Sequence, residues 1–75
     1  MKYFVLETAT VNGQQASAVT MKENYEEALM LYHQIRASSL ANKNVSYALA
    51  QLIDEHGAVY QVEYHYNPPE GSESN

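Results

Sequence analysis

The chain predicts an α+β fold: a four-stranded, mostly antiparallel sheet with one helix packed on one face, in the order ββαββ. Three observations predict it. Asn12-Gly13 separates two alternating segments, Lys2–Val11 and Gln14–Lys22. The segment Asn24–Asn42 has an N-cap signal and apolar residues at three- and four-residue steps. Two further alternating segments, Val45–Ile53 and Ala58–Tyr66, flank Asp54-Glu55-His56-Gly57.

The first hairpin rests on Asn12-Gly13. A type I′ turn needs positive φ at both central residues, which Asn and Gly tolerate best. A two-residue turn there places Leu6 opposite Val19 and Phe4 opposite Met21. Facing residues share a side of the sheet, so these four make one apolar patch that ends at Thr8 and Ser17. The reverse side sets Tyr3, Val5, Glu7 and Ala9 against Lys22, Thr20, Ala18 and Ala16, a mixture suited to partial cover.

The helix opens at Asn24, with Glu27 three residues on in a variant of the capping box. Glu26 and Glu27 also suit the positive end of the helix dipole. Tyr25, Ala28, Leu29, Tyr32, Ile35 and Leu40 form an apolar stripe that Met30 and Leu31 widen. Glu26, Glu27, His33, Gln34 and Ala37 face away from it. Ser38 and Ser39 weaken the last turns and Asn42-Lys43-Asn44 ends the helix. About 18 residues at about 1.5 Å each reach roughly 27 Å, enough to cross four strands diagonally.

In the second hairpin one side of the third strand carries Val45, Tyr47, Leu49 and Ile53, interrupted by Gln51. The other side carries Ser46, Ala48, Ala50 and Leu52. Tyr60, Val62, Tyr64 and Tyr66 share a side of the fourth strand, opposite Val59, Gln61, Glu63 and His65. A loop centred between Glu55 and His56 pairs the tyrosine side with the Leu49 side. Strand order 2-1-3-4 keeps every neighbour antiparallel, with 1-2-4-3 as the rival. Residues 1–66 make one domain. The acidic Pro/Ser/Gly tail, residues 67–75, reads as disordered because no large apolar residue anchors it.

Which side the helix covers stays open at this level. If it covers the tyrosine side, the core is Phe4, Leu6, Val19, Met21, Leu29, Tyr32, Ile35, Leu49, Ile53, Tyr60 and Val62. If it settles on the small residues Ala16, Ala18, Ala48 and Ala50, then Tyr47, Tyr60, Tyr64 and Tyr66 become an exposed aromatic face for a partner. Tyrosine offers large contact area at low entropy cost.

The helix and second hairpin, YEEALMLYHQIRASSLANKN followed by VSYALAQLIDEHGAVYQVEYHY, resemble a group of short proteins of Gram-positive bacteria and their prophages. The resemblance covers a little over half the chain, through Tyr32-His33-Gln34-Ile35 and Asp54-Glu55-His56-Gly57. It implies an accessory role in a prophage or mobile element and transfers no catalytic residue.

Charge and composition narrow the function classes. Nine acidic and four basic side chains give a net charge of −5. Lys2, Lys22, Arg36 and Lys43 are scattered, so nothing resembles the clustered cations that displace counterions from nucleic acid or bind anionic membrane. No 20-residue apolar span and no secretory leader pattern are present, which points to a cytoplasmic protein. Cysteine is absent, removing disulfides and thiolate zinc sites as stabilisers. A domain this small then gains most by self-association.

Catalytic patterns are weak. Glu63 and His65 share a strand face but supply two ligands where a closed metal site wants four. His33 and His56 stand apart from them. The serines lie in no nucleophile setting. Glu26-Glu27 serves helix capping, Asp54-Glu55 serves a turn, and Gly13, Gly57 and Gly71 cradle no phosphate. The expectation is a non-enzymatic interaction or structural module without cofactor, homodimeric through a sheet face or edge. The competing expectation is a small ligand-binding domain or enzyme using a cleft between sheet and helix.

Overall fold

The computed structural model describes residues 1–66; the tail at 67–75, read above as disordered, lies outside the described residues. Strands β1 (Tyr3–Val11) and β2 (Gln14–Lys22), helix α1 (Tyr25–Ala41), and strands β3 (Val45–Asp54) and β4 (Val59–Tyr66) follow in that order. The four strands form one antiparallel sheet in the order β2-β1-β3-β4, and α1 packs against one face of it. This is the α+β architecture and the preferred strand order.

The local chemistry behaves as read. Asn12 (φ 53°) and Gly13 (φ 82°) both take positive φ, and β1 pairs with β2 from Val11↔Gln14 to Tyr3↔Lys22 without a break. Asn24 Oδ1 accepts the N–H groups of Glu26 and Glu27 at 2.8 and 3.2 Å, satisfying two of the donors a helix start leaves free. At the far end Asn42 Oδ1 accepts the Asn44 N–H. Asn12 donates its N–H to the Asn44 carbonyl at 3.0 Å, tying the first turn to the loop that enters β3.

The helix covers the small-residue side. Val5, Ala28, Tyr32, Ala50 and Leu52 form the buried core, with Tyr3, Tyr25, Leu29, Leu31 and Ile35 packed around it. The core built on the other side is therefore corrected. Phe4, Leu6, Leu49 and Ile53 are half-buried, and Val19, Met21 and Val62 are exposed on the sheet's open face. Of that set, Tyr32 is fully buried, and Leu29 and Ile35 flank the core. On the helix, Leu40 is exposed and Ser39 is buried in its place. At about 100° per residue Ser39 falls on the Tyr25–Ala28–Tyr32 stripe, whereas Leu40 lies about 100° away.

Topology explains the choice of face. β2 and β3 run parallel with β1 between them, so β2–α1–β3 is a crossover, and crossovers of this kind are right-handed in nearly all cases. In an L-chain the handedness fixes which side of β2 looks toward the helix: the side whose residues turn their N–H and C=O groups to β1. Beside a two-residue turn those residues are Gln14, Ala16, Ala18, Thr20 and Lys22. Chain connectivity thus lays α1 over Val5, Ala50 and Leu52, although the opposite side holds the larger apolar residues.

Candidate interaction face

The open face follows directly from the register. Four rows cross the sheet in the order β2, β1, β3, β4: Met21-Phe4-Ile53-Val59, Val19-Leu6-Gln51-Val62, Ser17-Thr8-Leu49-Tyr64 and Gln15-Thr10-Tyr47-Tyr66. No position in these rows is charged, in a chain of net charge −5. Glu7, Lys22, Asp54, Glu63 and His65 all stand on the helix side.

Apolar surface dominates the two rows nearest the Met21 end. Val19 is 62% exposed and Val62 50% exposed, with half-buried Phe4, Leu6 and Ile53 between the edges. Toward the other end the surface turns aromatic. Tyr64 and Tyr66 are 66% and 65% exposed, and the Tyr47 and Tyr64 rings lie 6.2 Å apart at 39°. Thr8 Oγ1 and Ser17 Oγ share a hydrogen bond of 3.0 Å beside them. A monomeric protein seldom leaves an uncharged sheet face with this much exposed aliphatic and aromatic surface in water.

Three of the four tyrosines proposed for an interaction face therefore come together: Tyr47, Tyr64 and Tyr66. Tyr60 does not join them. The register shifts between Leu52 and Ile53, so that Leu52 pairs with Gln61 and Ile53 with Val59. This bulge leaves Tyr60 unopposed and turns it to the helix side, where its ring packs against Tyr3 at 5.9 Å and Tyr25 at 5.5 Å. Val59 takes its place in the row. A bulge of this kind re-aims one side chain while the strand beyond it keeps its alternation.

Asp54 secures that turn. Its carboxylate accepts the Tyr60 hydroxyl at 2.7 Å and the N–H groups of His56 and Ala58 at 2.8 and 3.0 Å. The Tyr60 hydrogen bond, with the two backbone donors, holds the Asp54 carboxyl below the ordinary aspartate value. The same bond to a carboxylate pushes the Tyr60 hydroxyl up to about 12. Glu55 accepts the Lys2 N–H at 2.7 Å, and that bond lowers its carboxyl.

The histidines occupy three unrelated places. His33 is exposed on the helix, and His56 sits in the second turn. His65 is half-buried on the helix side, with Nδ1 3.4 Å from Arg36 Nη1. Arg36 Nε also donates to Glu63 Oε1 at 3.2 Å. The guanidinium thus engages both members of the Glu63/His65 pair. Among the described residues no three potential metal ligands gather. Beside this cluster the Tyr32 hydroxyl is buried without a hydrogen-bond partner among the described residues. Burial raises its pKa, the Glu63 charge adds to the rise, and Arg36 opposes it.

The described residues line two shallow grooves. One runs over Glu7, Ala9, Val11, Ala16 and Ala18 where the helix leaves the first hairpin uncovered. The other lies between Lys22 and the helix residues Glu27, Met30, Leu31 and Gln34. Neither brings together a nucleophile, a base and an orienting group. No helix among the described residues is long and apolar enough to cross a membrane. No family model matches the chain, and no curated protein or solved structure matches it.

Proposed function

We propose that this chain is a non-enzymatic structural or interaction module that self-associates through the open face of its sheet. One observation carries the reading. The helix covers the smaller, more polar side, and among the described residues the larger apolar side carries no charge and no cover. Two copies of net charge −5 repel at long range. They meet at least cost through the one broad face that holds none of that charge.

The face is large enough for the task. Strand spacing of about 4.8 Å and a rise of about 3.4 Å per residue give the four rows a width of about 19 Å and a length of about 27 Å. That footprint of about 500 Å², raised by the projecting Tyr64 and Tyr66, approaches the roughly 800 Å² per partner of a standard interface. Two such faces stack as a sandwich with about 10 Å between sheets.

Sedimentation equilibrium at micromolar concentration tests the reading. The expected result is reversible self-association of the 8.5 kDa chain. Tyr64→Lys, an exposed change outside the core, weakens association while leaving the circular dichroism spectrum intact. A monomer throughout the concentration range, or a dimer indifferent to Tyr64→Lys and Val62→Lys, contradicts the proposal.

A further inference from the structure

The two edges of the sheet are unequal. At one edge, β4 is broken by the bulge at Val59-Tyr60 and carries Glu63 held by Arg36. In sequence it runs into Pro68-Pro69. Bulges, charges and prolines are the devices that keep an edge strand from pairing with another chain. At the other edge, β2 has no bulge and no proline, and no charge before its last residue. Its nine residues, Gln14–Lys22, pair with β1 in unbroken register. They include no Pro, no Gly and no acidic side chain, and Lys22 is the single charge, at the very end.

The first turn decides which backbone groups β2 leaves free. A two-residue hairpin makes Val11↔Gln14 a hydrogen-bonded pair, and such pairs alternate along an antiparallel ladder. Gln14, Ala16, Ala18, Thr20 and Lys22 therefore direct their N–H and C=O groups to β1. Gln15, Ser17, Val19 and Met21 direct theirs outward from the sheet.

We propose that β2 pairs antiparallel with β2 of a second copy about a two-fold axis at Ala18, joining two sheets into one. In that register Gln15 meets Met21 and Ser17 meets Val19, so every outward N–H and C=O on both strands finds a partner. A slip of two residues either way leaves a terminal pair unmet. The side chains agree with the register. On the helix side Ala18 faces its own copy, Ala16 faces Thr20 and Lys22 faces Gln14, so no like charges meet and no bulky groups collide. The helix rests chiefly on β1 and β3, clear of this edge. Paired residues share a face, so both open faces end on the same side of the doubled sheet. The proposal uses backbone groups at the edge and does not depend on what covers the open face.

The chain has no cysteine, so single-cysteine variants read the register cleanly. Ala18 and its copy would form a non-hydrogen-bonded pair about 4.5 Å apart at Cα, within the roughly 4.4–6.8 Å that a disulfide spans. Under mild oxidation Ala18→Cys is expected to convert to a covalent dimer of twice 8.5 kDa. Thr20→Cys alone stays monomeric, because its own copy lies roughly 14 Å away along the strand. A mixture of Ala16→Cys and Thr20→Cys cross-links. Adding Ala18→Lys, which points away from the open face, suppresses that mixed cross-link, whereas adding Tyr64→Lys leaves it in place. Equal cross-linking of Ala18→Cys and Thr20→Cys, or no cross-link in the mixture, overturns the proposal. Loss of the mixed cross-link with Tyr64→Lys and not with Ala18→Lys overturns it too, and assigns the contact to the open face.

Discussion

Replacing Ala50 by leucine puts the placement of the helix to a quantitative test. Ala50 is 1% exposed and belongs to the cluster with Val5, Ala28, Tyr32 and Leu52. Leucine adds three carbon atoms where helix and sheet are already in contact, and overpacking of that kind costs about 1–3 kcal/mol. A 75-residue chain holds about 4–11 kcal/mol in total, from about 0.05–0.15 kcal/mol per residue. The change therefore removes a sizeable fraction of the stability. With a urea m value near 1 kcal/mol/M, a loss of about 2 kcal/mol lowers the midpoint by about 2 M. The control is Thr8→Leu, one strand away on the open face, which should stay within about 0.5 kcal/mol. Urea melts followed by circular dichroism at low protein concentration report both. A tolerated Ala50→Leu beside a destabilising Thr8→Leu would put the helix on the opposite side and refute the packing described.

Other outcomes follow from the same geometry. Asn24→Ala should cost about 0.5–2 kcal/mol in a thermal or urea melt, because the Glu26 and Glu27 N–H groups lose their acceptor. Tyr32→Phe should leave stability unchanged or raise it, since the buried hydroxyl has no partner to lose; a loss above about 1 kcal/mol would show that the hydroxyl is satisfied. The Asp54 carboxyl is held below its ordinary value of 3.8, so its contribution is complete above that value and fades as pH falls through the lower folded-state pKa. Acid unfolding should therefore be blunted in Asp54→Asn relative to the parent. Tyr60 shifts the other way. Its contribution is present below the ordinary value of 10 and is lost as pH climbs through about 12. In an ultraviolet titration Tyr32 and Tyr60 should ionise later than the other tyrosines, and Asp54→Asn should bring Tyr60 back toward them.

Most of the fold was legible because it rests on short-range chemistry. Asn12-Gly13 set the register of the first hairpin, Asn24 set the helix start, and alternation set the strands to within a residue at each end. The face that α1 covers was left open by the residue pattern, and connectivity accounts for it. Residue by residue, the side with Phe4, Leu6, Leu49 and Ile53 is the better core. The parity of a two-residue turn combined with a right-handed crossover points instead to Val5, Ala50 and Leu52. Local pattern and global connectivity disagree here, and connectivity prevails. The remaining differences are local. Tyr60 left its row because a bulge at Val59-Tyr60 adds one residue to the count, with no Gly or Pro at the site to announce it. Ser39 displaced Leu40 because angular position on the helix outweighed side-chain polarity. Arg36, which ties the helix to Glu63 and His65, carried no signal in the sequence because its partners lie 27 and 29 residues away.

The disagreement also shapes the candidate site. Connectivity commits the helix to the weaker face, so the stronger one is left uncovered among the described residues, with Tyr47, Tyr64 and Tyr66 at its aromatic end, and it is the face we propose for intermolecular contact. Isotope-filtered nuclear Overhauser spectroscopy on an equal mixture of labelled and unlabelled chain tests this most directly. The account predicts intermolecular contacts from Leu6, Val62 and Tyr64 and none from Ala28, Ala50 or Leu52. An absence of intermolecular contacts from the open face at a concentration where the chain is associated would contradict it.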